Sequence, residues 1–229
     1  MSMKLLLLSY PFSADMPTYG KLPKPKVVPY KSIAAGDTSN IYTITLCNHV
    51  GTHVDAPAHF VSGGRRISDY SPEELTFRKP LLVDIPKGPG GWVEKEDMKN
   101  VEKLGSIDGL LIRTGFGSLR DKNVYGIHNP GISPEAIIWL RQKLPEVRCV
   151  GIDSISISGF QDRPRGRAAH LAAFEKRKNL GDPLLLIEDM NLAVLKADEK
   201  IQKVIVVPWF MLNIDSTPCT VLAEVISSE

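Results

Sequence analysis

The stretch SPEAIIWLRQKLPEVRCVGID, residues 133–153, reads as a helix followed at once by a strand. Ser133 suits a helix N-cap and Pro134 the first helical position, and Ile137, Ile138, Leu140 and Leu144 then fall on one broad apolar stripe. VRCVGID, residues 147–153, is apolar without strict alternation, the pattern of a strand covered on both faces. Comparable runs recur along the chain: PLLVDIP (80–86), GLLIRTG (109–115) and PLLLIED (183–189). KLLLLSY (4–10), IYTITLC (41–47), KVIVVPW (203–209) and CTVLAEVIS (219–227) also read as strands. Residues near 94–104 and 167–178 read as two further helices. Strands alternating with helices predict an α/β domain built on a mixed sheet.

At 229 residues the chain suits one large domain, 1–229, because α/β folds often reach this size without dividing. Such a chain buries roughly 70–75% of its unfolded surface and needs no staple, so a metal here is expected to be functional and not structural. A formal net charge of +2, from 28 basic and 26 acidic residues spread along the chain, gives no field that would draw nucleic acid. RPRGR, Arg163–Arg167, reads as a solvated mobile loop with no chemistry assigned. KGPGG, residues 87–91, lacks the Gly-Lys-Ser/Thr ending of a phosphate loop and reads as a turn, and no dinucleotide fingerprint is present. Cys47, Cys149 and Cys219 lie far apart beside apolar neighbours, which suits buried free thiols in a reducing compartment. Leu5–Leu8 is too short an apolar run for a signal peptide, and the expectation is a cytoplasmic protein without a membrane segment.

HVGTHVDAPAHF, residues 49–60, holds three of the five histidines and an aspartate. Imidazole nitrogen and carboxylate oxygen are the donors that zinc and its first-row neighbours accept. Gly51, Thr52, the valines and Pro57 argue against a helix. On a straight strand His49 and His53 would stand roughly 13 Å apart, too far for one ion. Gly51 permits a bend that draws them together, so a kinked strand end is expected, with His49, His53 and Asp55 as ligands. His59 lies beyond Pro57; close to the ion but outside its ligands, a histidine there can take and return a proton at neutral pH. Glu188 ends an apolar run, and its local sequence fits a metal ligand or an exposed strand end equally. By its surroundings alone His170 reads as a surface or cap residue, and His128 as part of a turn.

HVGTHVDAPAHF resembles the His-x-Gly-Thr-His-x-Asp-x-Pro-x-His signature of the metal-dependent cyclase/hydrolase family that includes bacterial kynurenine formamidase and isatin hydrolase. LIRTGF, VGIDSISI, LIEDMNL and NIDSTPCTVLAEV resemble further family blocks in the same order, so the resemblance spans nearly the whole chain. It implies a swivelling β/β/α-type fold assembled as a homodimer or higher homo-oligomer, acting on a small-molecule substrate. It implies one or two Zn²⁺ or Mn²⁺ ions per subunit: one on His49, His53 and Asp55, a second shared by Asp55 with His170 and Glu188, and His59 as proton shuttle. The expected activity is hydrolysis of a C–N amide bond, in an arylformamide such as N-formylkynurenine of tryptophan catabolism or in a lactam. A cyclase or dehydratase on a polyketide-like substrate, and a non-catalytic metal-stabilised binding protein, are the alternatives. The segment between His170 and Glu188 is longer than the family pattern, with EKRKNLGD resembling a helix extension, and Cys219 and Thr220 stand where the closing segment usually leads to an arginine.

Overall fold

The computed structural model describes residues 3–101 and 105–227. Four buried strands form its centre: β4 (His53–Asp55), β8 (Gly109–Arg113), β10 (Cys149–Ile152) and β11 (Leu185–Glu188). β8, β10 and β11 run parallel, β6 (Pro80–Asp84) adds a parallel edge on β8, and β4 pairs antiparallel with β11. On the other side of β4 stands the long hairpin of β12 (Glu199–Pro208) and β13 (Ser216–Ser227), with β5 (Thr76–Phe77) on β12 and β1 (Met3–Leu7) on β13. These nine strands make one mixed sheet, which curls nearly into a barrel as β6 at one end approaches β12 near the other.

The unbroken apolar runs are explained by this curl. Along β8, Leu110 and Ile112 face a helical layer while Leu111 faces the inside of the curled sheet, so all three are buried. β10 and β11 divide their side chains in the same way, with Val150 and Leu186 toward the helices and Cys149 and Leu185 inward. After the short helix α1 (Val124–Ile127), the helical layer is α2 (Pro134–Lys143) and α3 (Arg163–Phe174). α2 forms as its sequence predicts: the Ser133 hydroxyl accepts from the Ala136 N–H, and Ile137 and Leu140 are buried.

Three expectations are corrected. RPRGR is the start of α3 and no loop, because Asp162 accepts from the Arg165 N–H as N-cap and Pro164 occupies the first turn. The expected helix over 167–178 ends at Phe174, since the buried Arg141 guanidinium donates to the carbonyls of Ala172, Glu175 and Gly181, holding the last turn and the chain that leaves it. The extra residues of EKRKNLGD are therefore spent in the connection to β11 and leave His170 inside α3. The helix expected near 94–104 is replaced, among the described residues, by a 3-10 turn over Lys95–Met98, and 102–104 lie outside the described residues.

A hairpin of β2 (Lys26–Lys31) and β3 (Ile41–Thr45) stands apart from the main sheet, exposed along both strands. The sequence marks β3 but conceals β2, where Pro29 argues against a strand except at an edge, which is where it stands. No helix among the described residues is long and apolar enough to cross a membrane.

Candidate active site

The site grows from strand periodicity. His53 and Asp55 alternate onto one face of β4, and Glu188 stands opposite His53 on β11, so three donors share the helix-facing side at one end of the strands. α3 passes over that end and contributes His170 from its third turn. Gly166 lets it approach: a Cβ there would lie 2.4 Å from the Ser158 hydroxyl. Four of the five histidines thus converge, with ring centroids 5.4 Å apart for His49 and His53, 3.9 Å for His49 and His59, and 5.8 Å for His59 and His170.

The bend expected at Gly51 is present. Its φ is +64°, in the left-handed region, and a side chain there would press on Met16 at 3.3 Å. β4 begins only at His53, and His49 folds back so that its Nδ1 lies 3.0 Å from Asp55 Oδ1.

Each ring is aimed by its outer nitrogen. His53 Nδ1 donates to the Gly51 carbonyl at 2.8 Å, which turns Nε2 inward, 3.5 Å from both Asp55 Oδ1 and Glu188 Oε2. His170 Nδ1 lies 3.1 Å from the Gly166 carbonyl and from the Ser158 hydroxyl, and its Nε2 is 3.5 Å from Glu188 Oε1 and 4.0 Å from Asp55 Oδ2. Glu188 Oε1 accepts from the Ser156 hydroxyl at 2.9 Å and the Ile157 N–H at 2.7 Å.

One residue escaped the sequence reading. Asp215, just before β13, places Oδ2 2.7 Å from His59 Nδ1 and 3.1 Å from His49 Nε2. A carboxylate only accepts, so His59 Nδ1 carries the hydrogen and Nε2 is the nitrogen left to exchange a proton. The Asp215 backbone carbonyl accepts from the Ala56 N–H at 2.9 Å, fixing Asp215 to the end of β4. The only sequence signal was its place in the closing family-like segment.

The buried histidines and carboxylates shift one another strongly. Burial disfavours charge on His49, but the Asp55 charge and the Asp215 hydrogen bond outweigh it and push its pKa up to about 10. His53 is raised against its burial by Asp55 and Glu188. Burial would raise Asp55 and Glu188, yet the surrounding histidines hold Asp55 well below the carboxylate range and Glu188 down to about 2. His53 Nε2 and both Asp55 carboxylate oxygens are buried with no hydrogen-bond partner among the described residues. Polar atoms that make no hydrogen bond at that depth are costly unless a further group binds them. One nitrogen of His53 and one oxygen each of Asp55 and Glu188 lie mutually within 4.8 Å, as do donor atoms of His49, Asp55 and His59, so the cluster fits a divalent cation of the nitrogen- and oxygen-binding kind.

The cluster opens to solvent past His49, His59 and Asp215, whose side chains are 21%, 25% and 29% exposed against 4% or less for the other four. Phe60 stacks on His170 with centroids 4.6 Å apart and meets His59 edge-on, giving that opening an apolar wall. Concavities of ≈ 620 and ≈ 400 Å³ flank the cluster without including its residues.

Known proteins resemble this chain in sequence and in architecture. Kynurenine formamidase of Bacillus mycoides (strain KBAB4) is 25% identical over 176 residues, 73% of this chain and 76% of its own length. Isatin hydrolase A from Labrenzia aggregata, solved with benzyl benzoate, has the same fold with a TM-score of 0.78 at 21% identity, covering 99% of this chain and 94% of that one. A structure described as a potential metal-dependent hydrolase with cyclase activity matches with a TM-score of 0.76 at 22% identity over 100% of both chains. The model of the family described as "Putative cyclase" matches residues 6–158, more than half of the sequence, and the chain belongs to that family.

Proposed function

We propose that this protein is a Zn²⁺- or Mn²⁺-dependent hydrolase that opens a C–N amide bond in a small aromatic substrate. The observation that carries the reading is the pairing of buried donors that make no hydrogen bond among the described residues with a histidine–aspartate pair, His59 and Asp215, at the open edge of the same cluster. His49, His53 and Asp55 would hold one cation, and Asp55, His170 and Glu188 a second. Bound there, the metal supplies Lewis acidity, lowering the pKa of water toward neutrality and polarising a carbonyl. His59 Nε2 takes a proton from the attacking water while Asp215 holds Nδ1 and favours the imidazolium that forms. The water oxygen bonds to the carbonyl carbon, the C–N bond breaks, and His59 returns the proton to the departing nitrogen. Phe60, packed against His59 and His170, gives this step an apolar neighbour.

The relatives' names favour an arylformamide such as N-formylkynurenine, a step of tryptophan catabolism, with the lactam isatin as second choice. The test is hydrolysis of both by chelator-stripped protein, before and after Zn²⁺ or Mn²⁺ is restored. Activity that returns with metal supports the reading. Bound metal without cleavage of either compound overturns the amide assignment and favours a cyclase or dehydratase, or a binding protein without turnover. Three free thiols, Cys47, Cys149 and Cys219, suit the reducing cytoplasm we propose for it.

We also propose self-association through the β2–β3 arm. Val28, Tyr30, Tyr42 and Ile44 are 50–71% exposed there, and a two-stranded hairpin uncovered on both faces is marginal alone. Burying two such arms against each other removes on the order of 1,000 Å² from water, about the least a specific interface needs. Tyr42→Lys with Val28→Lys is expected to convert the wild-type dimer to a monomer of 25.3 kDa in sedimentation. A wild type that is already monomeric at micromolar concentration would sink the proposal.

A further inference from the structure

Asp189 directly follows Glu188 and turns the chain sharply. Its φ of +53° is in the left-handed region, and of the three non-glycine residues described with positive φ it alone is buried, where Asn179 and Asn213 are exposed. An L residue is strained there by about 1–2 kcal/mol, so neighbouring contacts must hold it. They are strong ones. Arg120 donates to both carboxylate oxygens of Asp189, from Nε at 2.8 Å and Nη2 at 2.7 Å, and the Tyr125 hydroxyl donates to Oδ1 at 2.6 Å. The Asp189 N–H donates to the Ser154 carbonyl at 2.8 Å, and its own carbonyl accepts from the Thr52 hydroxyl at 2.6 Å. Thr52 Oγ1 accepts in turn from the Tyr10 N–H, and Arg120 lies over the Tyr10 ring at 4.0 Å.

The result is a clamp joining the residue after Glu188 to the residue before His53. Those two face each other across a 3.5 Å gap between His53 Nε2 and Glu188 Oε2, with Asp55 beside them. A buried ion pair is weak evidence for stability, because apolar residues of similar volume often do as well. What this pair does that apolar packing would not is fix the direction of a strained residue between two donors. We infer that Arg120, acting through Asp189, is a positioning residue that sets the His53–Glu188 gap to the width a divalent cation requires. The inference rests on the reading of Glu188 as a metal ligand.

Zn²⁺ affinity measured by equilibrium dialysis, together with thermal unfolding, tests it. Arg120→Met is expected to weaken Zn²⁺ binding about ten- to a hundredfold, the range seen when a group that orients a ligand is lost. Arg120→Lys, which keeps the charge but not the two-pronged contact, should fall between, and Tyr125→Phe, which removes one hydroxyl, should weaken binding less. Arg113→Met, which breaks an ion pair with the exposed Asp84, should leave the affinity unchanged. Should Arg120→Met fail to fold, the Lys and Phe variants carry the test, read well below their unfolding temperatures. Wild-type affinity in all three variants would overturn the inference, whereas a wild type that binds no Zn²⁺ would overturn the metal reading beneath it.

Discussion

Replacing His59 by alanine lowers turnover by about 10²–10⁴ and leaves bound metal unchanged, the usual effect of removing a positioned general acid/base. His59 stands at the rim, a quarter exposed, and its Nδ1 is committed to Asp215 at 2.7 Å, while His53, Asp55, His170 and Glu188 lie deeper. Losing it therefore removes a proton carrier and leaves most donors in place. Asp215→Asn should reproduce part of the loss, because an amide at that position can be satisfied with the other imidazole tautomer and no longer favours the protonated ring. Metal analysis beside steady-state kinetics checks both variants. A His59→Ala protein that turns over at the wild-type rate would show that the proton moves elsewhere.

Asp55→Ala abolishes cation binding. Both Asp55 oxygens are buried without a hydrogen bond among the described residues, and His49, His53 and His170 approach them at 3.0, 3.5 and 4.0 Å, so this carboxylate is common to both halves of the cluster. Zn²⁺ at a hundredfold excess over its dissociation constant should stabilise the wild type by about 2.7 kcal/mol, and the variant not at all. Thermal unfolding with and without the metal reads the difference. Equal stabilisation of both proteins would mean that the cation binds without Asp55.

How much of this was legible depended on how local each signal was. HVGTHVDAPAHF could be read because its donors and the bend at Gly51 lie within twelve residues, where backbone geometry alone ties them together. The buried strands were legible because a sheet covered on both faces leaves unbroken apolar runs. His170 and Glu188 gave little locally, since one sits in a helix and the other ends a strand, and only packing of α3 over β4 and β11 unites them. Asp215 was hidden because its partners are 156 and 166 residues away in sequence. Proline and glycine made RPRGR look like a loop although Asp162 and Pro164 start a helix there, and charged EKRKNLGD looked helical until Arg141, on another helix, held the end.

A divalent cation is expected between β4, β11 and α3. Crystals of the zinc-loaded protein, measured on both sides of the zinc absorption edge, test it most directly. The expected anomalous peak lies within bonding distance, about 2.0–2.2 Å, of His53 Nε2 or His170 Nε2 and of the Asp55 carboxylate. Zinc bound only elsewhere, or a cluster that stays empty in zinc-saturated crystals, would contradict it.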